Sequence, residues 1–159
     1  MGKVLENLKL ISLYDLRDFK NNLIKEEEIK KIELEDVIVD SGASMLCLSK
    51  DIIDKLDLEF LKMTKVNTAD GIVERGIYGP VVYEIKGRVA RGDVLELAHP
   101  KIKALIGQIP LEQLDFLINP AANRLITNPA HEGELILDQL IVSEDLKYEI
   151  VDSKIDEKV

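Results

Sequence analysis

Short apolar runs separated by turn residues make up most of this chain. Val4–Leu13 predicts an opening strand. Ile32 and Leu34 alternate with charged residues before Val37–Val39 becomes continuously apolar, which is typical of a strand that passes from an exposed edge into a core. Further strands are predicted over residues 45–48, 81–85, 88–97 and 104–107. Many short strands with few helical segments predict a mainly all-β, barrel-like domain with one or two short helices.

Two hairpins are predicted between these strands. The first spans Val66–Tyr78 and turns at Asp70-Gly71, a residue pair that tolerates the positive φ angles of tight turns. The second joins Phe116–Ile118 to Arg124–Ile126. Both hairpins therefore place a polar turn between two apolar strands.

The helical signals are weaker. Ser49 suits the N-cap of a short helix, and Pro110 suits the first turn of a helix that runs to Asp115. The pattern leaves Tyr14–Glu28 open between a loop and a short helix, and it leaves Leu135–Val142 open between a strand and a helix.

Composition and charge divide the chain into a domain over residues 1–128 and an acidic tail over residues 129–159, which we expect to be partly disordered. The net charge is -9, and nine acidic residues against three lysines from Glu132 to Val159 contribute -6 of it. An acidic surface disfavours nucleic acid and anionic membranes as partners. The sequence shows no signal peptide and no long apolar run, so we expect a cytoplasmic protein without a membrane partner.

One motif carries candidate chemistry. An apolar strand runs directly into Asp40-Ser41-Gly42-Ala43, and the motif occurs once. It resembles the active-site turn of aspartic proteases, and the alanine after the glycine resembles the retroviral, retropepsin branch. Downstream, Leu105-Ile106-Gly107 is similar to the strand that lies beneath that turn in the family, and the hairpin at residues 65–78 is similar to the flap that covers the substrate.

The resemblance covers about Val37 to Ile126 and is closest to the single-lobed, retropepsin-like proteases of prokaryotes. It implies a retropepsin-like closed barrel with one lobe per chain. It also implies an aspartic endopeptidase in which Asp40 from each of two chains activates a water, because one chain supplies a single aspartate. The substrate would be a peptide or an unfolded protein, with apolar or neutral side chains beside the cleaved bond. No cofactor and no metal are implied.

The resemblance also assigns roles residue by residue. Catalysis would involve Asp40, Ser41 and Gly42, where the serine hydroxyl bonds across the pair and the glycine amide donates to the carboxylate. The structural strand beneath the site would be Leu105, Ile106 and Gly107. The substrate would contact Ala43 and the flap residues Ala69, Asp70, Gly71 and Ile72. The chain departs from the viral pattern in its less glycine-rich flap and its acidic tail.

Two alternatives remain open from the sequence. The same fold could serve as a catalytically silent dimerisation or peptide-binding module, or an unrelated barrel could use Asp-Ser-Gly only as a turn. Other reactive residue types have simpler interpretations. Cys47 lies in an apolar strand and is expected to be a core residue, and the lone histidines His99 and His131 are expected to be solvated.

Overall fold

The computed structural model describes residues 2–141 and 147–151, and within them strands hold 47% of the residues and helices 18%. The strands are β1 Val4–Ser12, β2 Lys31–Val39, β3 Leu46–Ser49, β4 Glu59–Thr68, β5 Gly71–Ile85, β6 Arg88–Leu97, β7 Ala104–Ile106, β8 Phe116–Asn119 and β9 Arg124–Thr127. The helices are α1 Leu13–Lys20, α2 Lys50–Lys55 and α3 Gln108–Gln113, with single 3-10 turns at Glu26–Glu28 and Pro129–His131.

Six strands close into a barrel in the order β1-β2-β7-β3-β6-β5, and β5 pairs back onto β1. Closure removes the free edges that an open sheet would expose. The strand β4 lies outside the ring and pairs only with β5, so it projects as a hairpin. The strands β8 and β9 form a separate two-stranded sheet. The prediction of a mainly β, barrel-like domain is confirmed.

The core is mostly aliphatic, in a chain where aromatic residues make up only 4%. Strand residues that face inward alternate with exposed ones, so that Val81, Tyr83 and Ile85 of β5 are all buried. Tyr83 and Phe116 are the aromatic members of a core that otherwise consists of Leu, Ile, Val and Ala side chains. The Tyr83 hydroxyl donates a hydrogen bond to the Gln113 side chain, which provides a partner for the buried hydroxyl.

The short strand β7 sits between two strands that are neighbours in sequence. It pairs parallel with β2, where Ile38 lies opposite Leu105, and antiparallel with β3, where Cys47 lies opposite the same Leu105. The turn that connects β2 to β3 must therefore pass over the end of β7. That turn contains Asp40.

Several local predictions were wrong in their boundaries. The strand predicted at residues 81–85 is the second half of β5, which continues through Pro80 with a register shift between Tyr78 and Val81. The helix α3 starts at Gln108, two residues before Pro110, which nevertheless lies in its first turn. Ser49 occupies the N-cap of α2, but its side chain makes no capping hydrogen bond.

The two segments whose secondary structure the pattern left open differ in the structure. Leu13–Lys20 is helical, because the Ser12 hydroxyl caps α1 by accepting from the Asp15 amide at 3.3 Å. Leu135–Ile141 forms neither strand nor helix, and Val142 lies outside the described residues, as does most of the predicted tail beyond it. No helix in the described part of the chain is long and apolar enough to span a membrane.

Candidate functional site

The Asp40 turn begins where β2 ends and is held by main-chain bonds. The Asp40 amide donates to the Ile106 carbonyl at 2.9 Å, and the Ala43 amide donates to the Asp40 carbonyl at 3.1 Å. The Gly42 amide donates to Oδ1 of the Asp40 carboxylate at 2.9 Å, as the resemblance implied. The Asp40 side chain is exposed, so the turn presents a fixed carboxylate to solvent.

Gly107 lets the turn and β7 approach each other. A methyl group at position 107 would lie 2.2 Å from the Met45 carbonyl oxygen and 2.7 Å from that of Ala43. Both distances are far below van der Waals contact, and backbone atoms cannot rotate away as a flexible side chain could. The glycine is required here by space rather than by φ, which is -90°.

Two further hydrogen bonds join the residues after Gly107 to the same turn. The Gln108 amide donates to the Ala43 carbonyl at 2.8 Å, and the Ile109 amide donates to the Ser44 carbonyl at 2.9 Å. These are amides of the first turn of α3, which lack partners inside the helix. The start of α3 therefore fixes residues 43–44, and the Asp40 turn becomes a rigid part of the barrel.

The Asp40 turn forms one side of an open cleft of about 680 Å³. The opposite side is the β4–β5 hairpin, which contributes residues 64–69 together with Arg75 and Ile77. The floor contains Cys47, Leu95 and Leu105. A cleft bounded by a carboxylate turn on one side and a projecting hairpin on the other can hold an extended chain beside Asp40.

The β4–β5 hairpin turns one residue earlier than predicted. Ala69 and Asp70 are the two turn residues, and Thr68 pairs with Gly71. Of these four residues only Gly71 has a positive φ, at +113°, so the glycine supplies the conformation that an L side chain rarely adopts. The Thr68 hydroxyl donates to the Gly71 carbonyl at 2.8 Å and accepts from the Asp70 amide at 3.2 Å, which ties the turn together.

The predicted site residues are only partly brought together. Five of them line the cleft, namely Asp40, Gly42, Ala43, Ala69 and Leu105. Ser41 is exposed beside Asp40, while Ile106 and Gly107 are buried beneath the turn. Asp70, Gly71 and Ile72 do not line the cleft, and Ile72 is 72% exposed.

Cys47 belongs to the floor as a protonated thiol. Burial raises the pKa of Cys47 to about 11, and the nearby charge of Asp40 adds to the increase. A thiol with this pKa is almost entirely neutral at physiological pH and is a poor nucleophile. The prediction that Cys47 is a core residue is confirmed.

Sequence reasoning missed most of the other residues that line the cleft, among them Lys65, Arg75 and Leu95. A signal for one of them was present. Ile77 belongs to the predicted hairpin and lines the cleft, and Arg75 lies two residues away on the same strand, so the alternation of a strand puts both side chains on one face. Nothing local indicates Leu95, because its place depends on the pairing of β6 with β3 and β5.

A second cleft of about 670 Å³ lies between α1 and the outer faces of β5 and β6. Its lining is apolar, with Leu13, Leu16 and Val89, and its charged members Arg17, Lys20 and Arg91 are all basic. Among the residues that the structure describes, its lining contains no carboxylate, thiol or imidazole that could move a proton near neutral pH. The two clefts are equal in size, so chemistry rather than volume selects the Asp40 cleft as the candidate site.

Within residues 2–141 and 147–151, no group of three His, Cys, Asp or Glu side chains is arranged to hold a metal ion. No protein-family model and no curated protein matches the sequence. The functional argument therefore depends on the geometry of the Asp40 cleft.

Proposed function

We propose that this protein is an aspartic endopeptidase of the retropepsin-like kind, which hydrolyses peptide bonds as a homodimer. One observation carries the proposal. The only Asp-Ser-Gly turn of the chain crosses the inserted strand β7, and it presents an exposed carboxylate at the edge of a cleft that faces a projecting hairpin. This combination is what the sequence resemblance requires of an active site.

The mechanism requires two such carboxylates. When two carboxyl groups lie a few ångströms apart they share one proton, because both cannot easily be ionised. The ionised group takes a proton from water, and the protonated group polarises the carbonyl of the substrate. In this chain the Gly42 amide fixes Oδ1 of Asp40, which leaves Oδ2 for these roles.

The second carboxylate would come from a second copy of the chain. Asp40 is exposed, and Ile109, whose amide holds the neighbouring Ser44 carbonyl, is 47% exposed for a large apolar side chain. An exposed carboxylate flanked by exposed apolar surface fits a two-fold contact in which each Asp40 meets its copy. A cytoplasmic location and an unfolded or extended peptide substrate complete the proposal.

The test is cleavage of casein by the full chain from acid to neutral pH, with and without pepstatin. We expect Asp40→Asn to reduce cleavage at least about 100-fold, because the amide can neither take nor give the catalytic proton. Asp57→Asn is the matched control, because Asp57 is an exposed aspartate away from the cleft and its φ of +51° suits asparagine.

The oligomeric state separates the remaining alternatives. A folded protein that remains a monomer at high concentration cannot form the paired carboxylates and contradicts the proposal. A folded dimer without cleavage at any pH favours the silent dimerisation or peptide-binding module. Cleavage that persists in Asp40→Asn would assign the activity to another residue or to a contaminant.

A further inference from the structure

The floor of the Asp40 cleft is a continuous apolar row that crosses four strands. Leu105 lies opposite Cys47, Cys47 opposite Leu95, and Leu95 opposite Ile77. Directly opposed residues on neighbouring strands project on the same side of a sheet, so these four side chains form one row. All four line the cleft. A substrate that lies across them must bring apolar side chains to this row.

The hairpin side of the same cleft is basic. Arg75 and Lys65 both line it. Arg75 lies opposite Thr64, whereas Lys65 lies opposite Glu74 on the other face of the hairpin, so Arg75 is the cation that shares a face with Ile77. The Arg75 guanidinium donates one hydrogen bond, from Nη1 to the Glu74 carbonyl at 2.8 Å. Among the described residues, neither cation lies within 4.0 Å of a carboxylate oxygen, although the chain has 30 acidic residues against 21 basic ones.

Two acidic residues, Asp40 and Glu96, also line the cleft, and neither neutralises the charge of Arg75. Asp40 belongs to the opposite side and accepts from the Gly42 amide. Glu96 lies opposite Leu48 in the pairing of β3 with β6, so its side chain projects on the other side of the sheet from Leu95 and the floor row. Arg75 is half-buried, so a carboxylate that reached it would be less screened by solvent than at an open surface.

We propose that the Asp40 cleft selects extended peptides that combine apolar side chains with one acidic side chain, whose carboxylate pairs with Arg75 while the apolar side chains cover the floor row. This inference rests on the proposed function in taking the cleft as the substrate site. It refines the expectation of apolar or neutral side chains beside the cleaved bond. An arginine can bind a carboxylate through two parallel hydrogen bonds, which gives both strength and orientation.

The test uses binding rather than cleavage. In the full-length Asp40→Asn protein, fluorescence anisotropy measures the affinity of labelled eight-residue peptides made of apolar residues, with Glu or Gln scanned through every position. At one or more positions we expect the Glu peptide to bind about tenfold more tightly than its Gln partner. The net charge of -9 works against any such preference, so a nonspecific charge effect would have the opposite sign.

Two further substitutions, each made in the Asp40→Asn protein, test whether Arg75 causes the preference for Glu. Arg75→Gln should bring the Glu and Gln peptides to nearly equal affinity. Arg91→Gln should leave the preference intact, because Arg91 lines the other cleft on the outer face of the barrel. Added salt should reduce the preference for Glu in the parent protein.

The outcomes distinguish this inference from the proposed function. Equal affinity for Glu and Gln at every position, a preference that survives Arg75→Gln, or no binding of any peptide by folded protein would each overturn the inference. If the wild-type protein cleaves casein without a preference for acidic peptides, the proposed function stands and the inference fails. If the preference is present and cleavage is absent, the inference stands for a peptide-binding module.

Discussion

Asp40, in the turn after β2, and Asp115, between α3 and β8, have contrasting surroundings. The Asp40 carboxylate is exposed and accepts from one amide, that of Gly42. The Asp115 side chain is 10% exposed and accepts from the His131 ring at 2.5 Å, the Ile136 amide at 3.2 Å and the Asn128 side chain at 3.3 Å. The Asp115 carboxylate is surrounded by donors, which suits a structural role, whereas Asp40 keeps an oxygen for the chemistry that we propose for it.

The hydrogen bonds around Asp115 also show how residues 131–136 contact the rest of the domain. The hydrogen bond from His131, with smaller contributions from Ile136 and Asn128, lowers the pKa of Asp115. Arg88 donates to the Leu114, Asp115 and Gly133 carbonyls and lies over the Phe116 ring. The chain therefore stays hydrogen-bonded to Arg88 of β6 and to Asp115 as far as Ile136. The expectation that His131 is solvated was wrong.

The largest effect should follow from removing the space beneath Asp40. Gly107→Ala puts a methyl group against two carbonyl oxygens of the Asp40 turn, so we expect the free energy of unfolding to fall by about 3 kcal/mol. Urea denaturation measures the change. Gly92→Ala is the matched control, since a methyl group there meets nothing within 4 Å. Equal stability of the two variants would show that β7 and the turn are not in close contact.

Asp115→Asn should lower the free energy of unfolding by a smaller amount, which depends on pH. The pKa of Asp115 in the folded chain is below its ordinary value of 3.8, so its ionised form stabilises the fold above that pH. The stabilisation is lost as the pH falls through the lowered pKa. We therefore expect Asp115→Asn to be less stable than wild type near pH 7, with the difference shrinking in acid.

Chemical denaturation at several pH values between 7 and 3 measures this difference. Asp57→Asn again serves as the control, because Asp57 is exposed and its side chain has no such set of donors in the described structure. A stability difference that stays constant with pH would mean that Asp115 acts through packing rather than through its charge.

The smallest change in stability is expected at Asp40 itself. Asparagine keeps an oxygen that can accept from the Gly42 amide, and the side chain is exposed, so the free energy of unfolding should change by no more than about 0.5 kcal/mol. The same denaturation series measures it. A large loss of stability would give Asp40 a structural role like that of Asp115 and would undermine any interpretation of lost cleavage.

Local patterns in the sequence were sufficient to predict the turn that contains Asp40, but not the hydrogen bonds that surround Asp115. The apolar strand before Asp40, the glycine after it and the turn of the β4–β5 hairpin all act within a few residues, so the sequence shows them directly. Asp115 gains its role from His131 and Ile136, which lie beyond another hairpin. The β1–β5 pairing that closes the barrel likewise depends on contacts that no local pattern contains, whereas Arg75 follows from the alternation of β5 once Ile77 lines the cleft.

The insertion of β7 also has a consequence for when the Asp40 turn can form. The Asp40 amide is bonded to the carbonyl of Ile106, which lies 66 residues later in the sequence. Contacts between residues so far apart form late, because the chain entropy of closing a long loop must be overcome first. During synthesis, Asp40 and the strand before it leave the ribosome well before β7 exists. The carboxylate therefore acquires its fixed position only when the last strand of the barrel is in place.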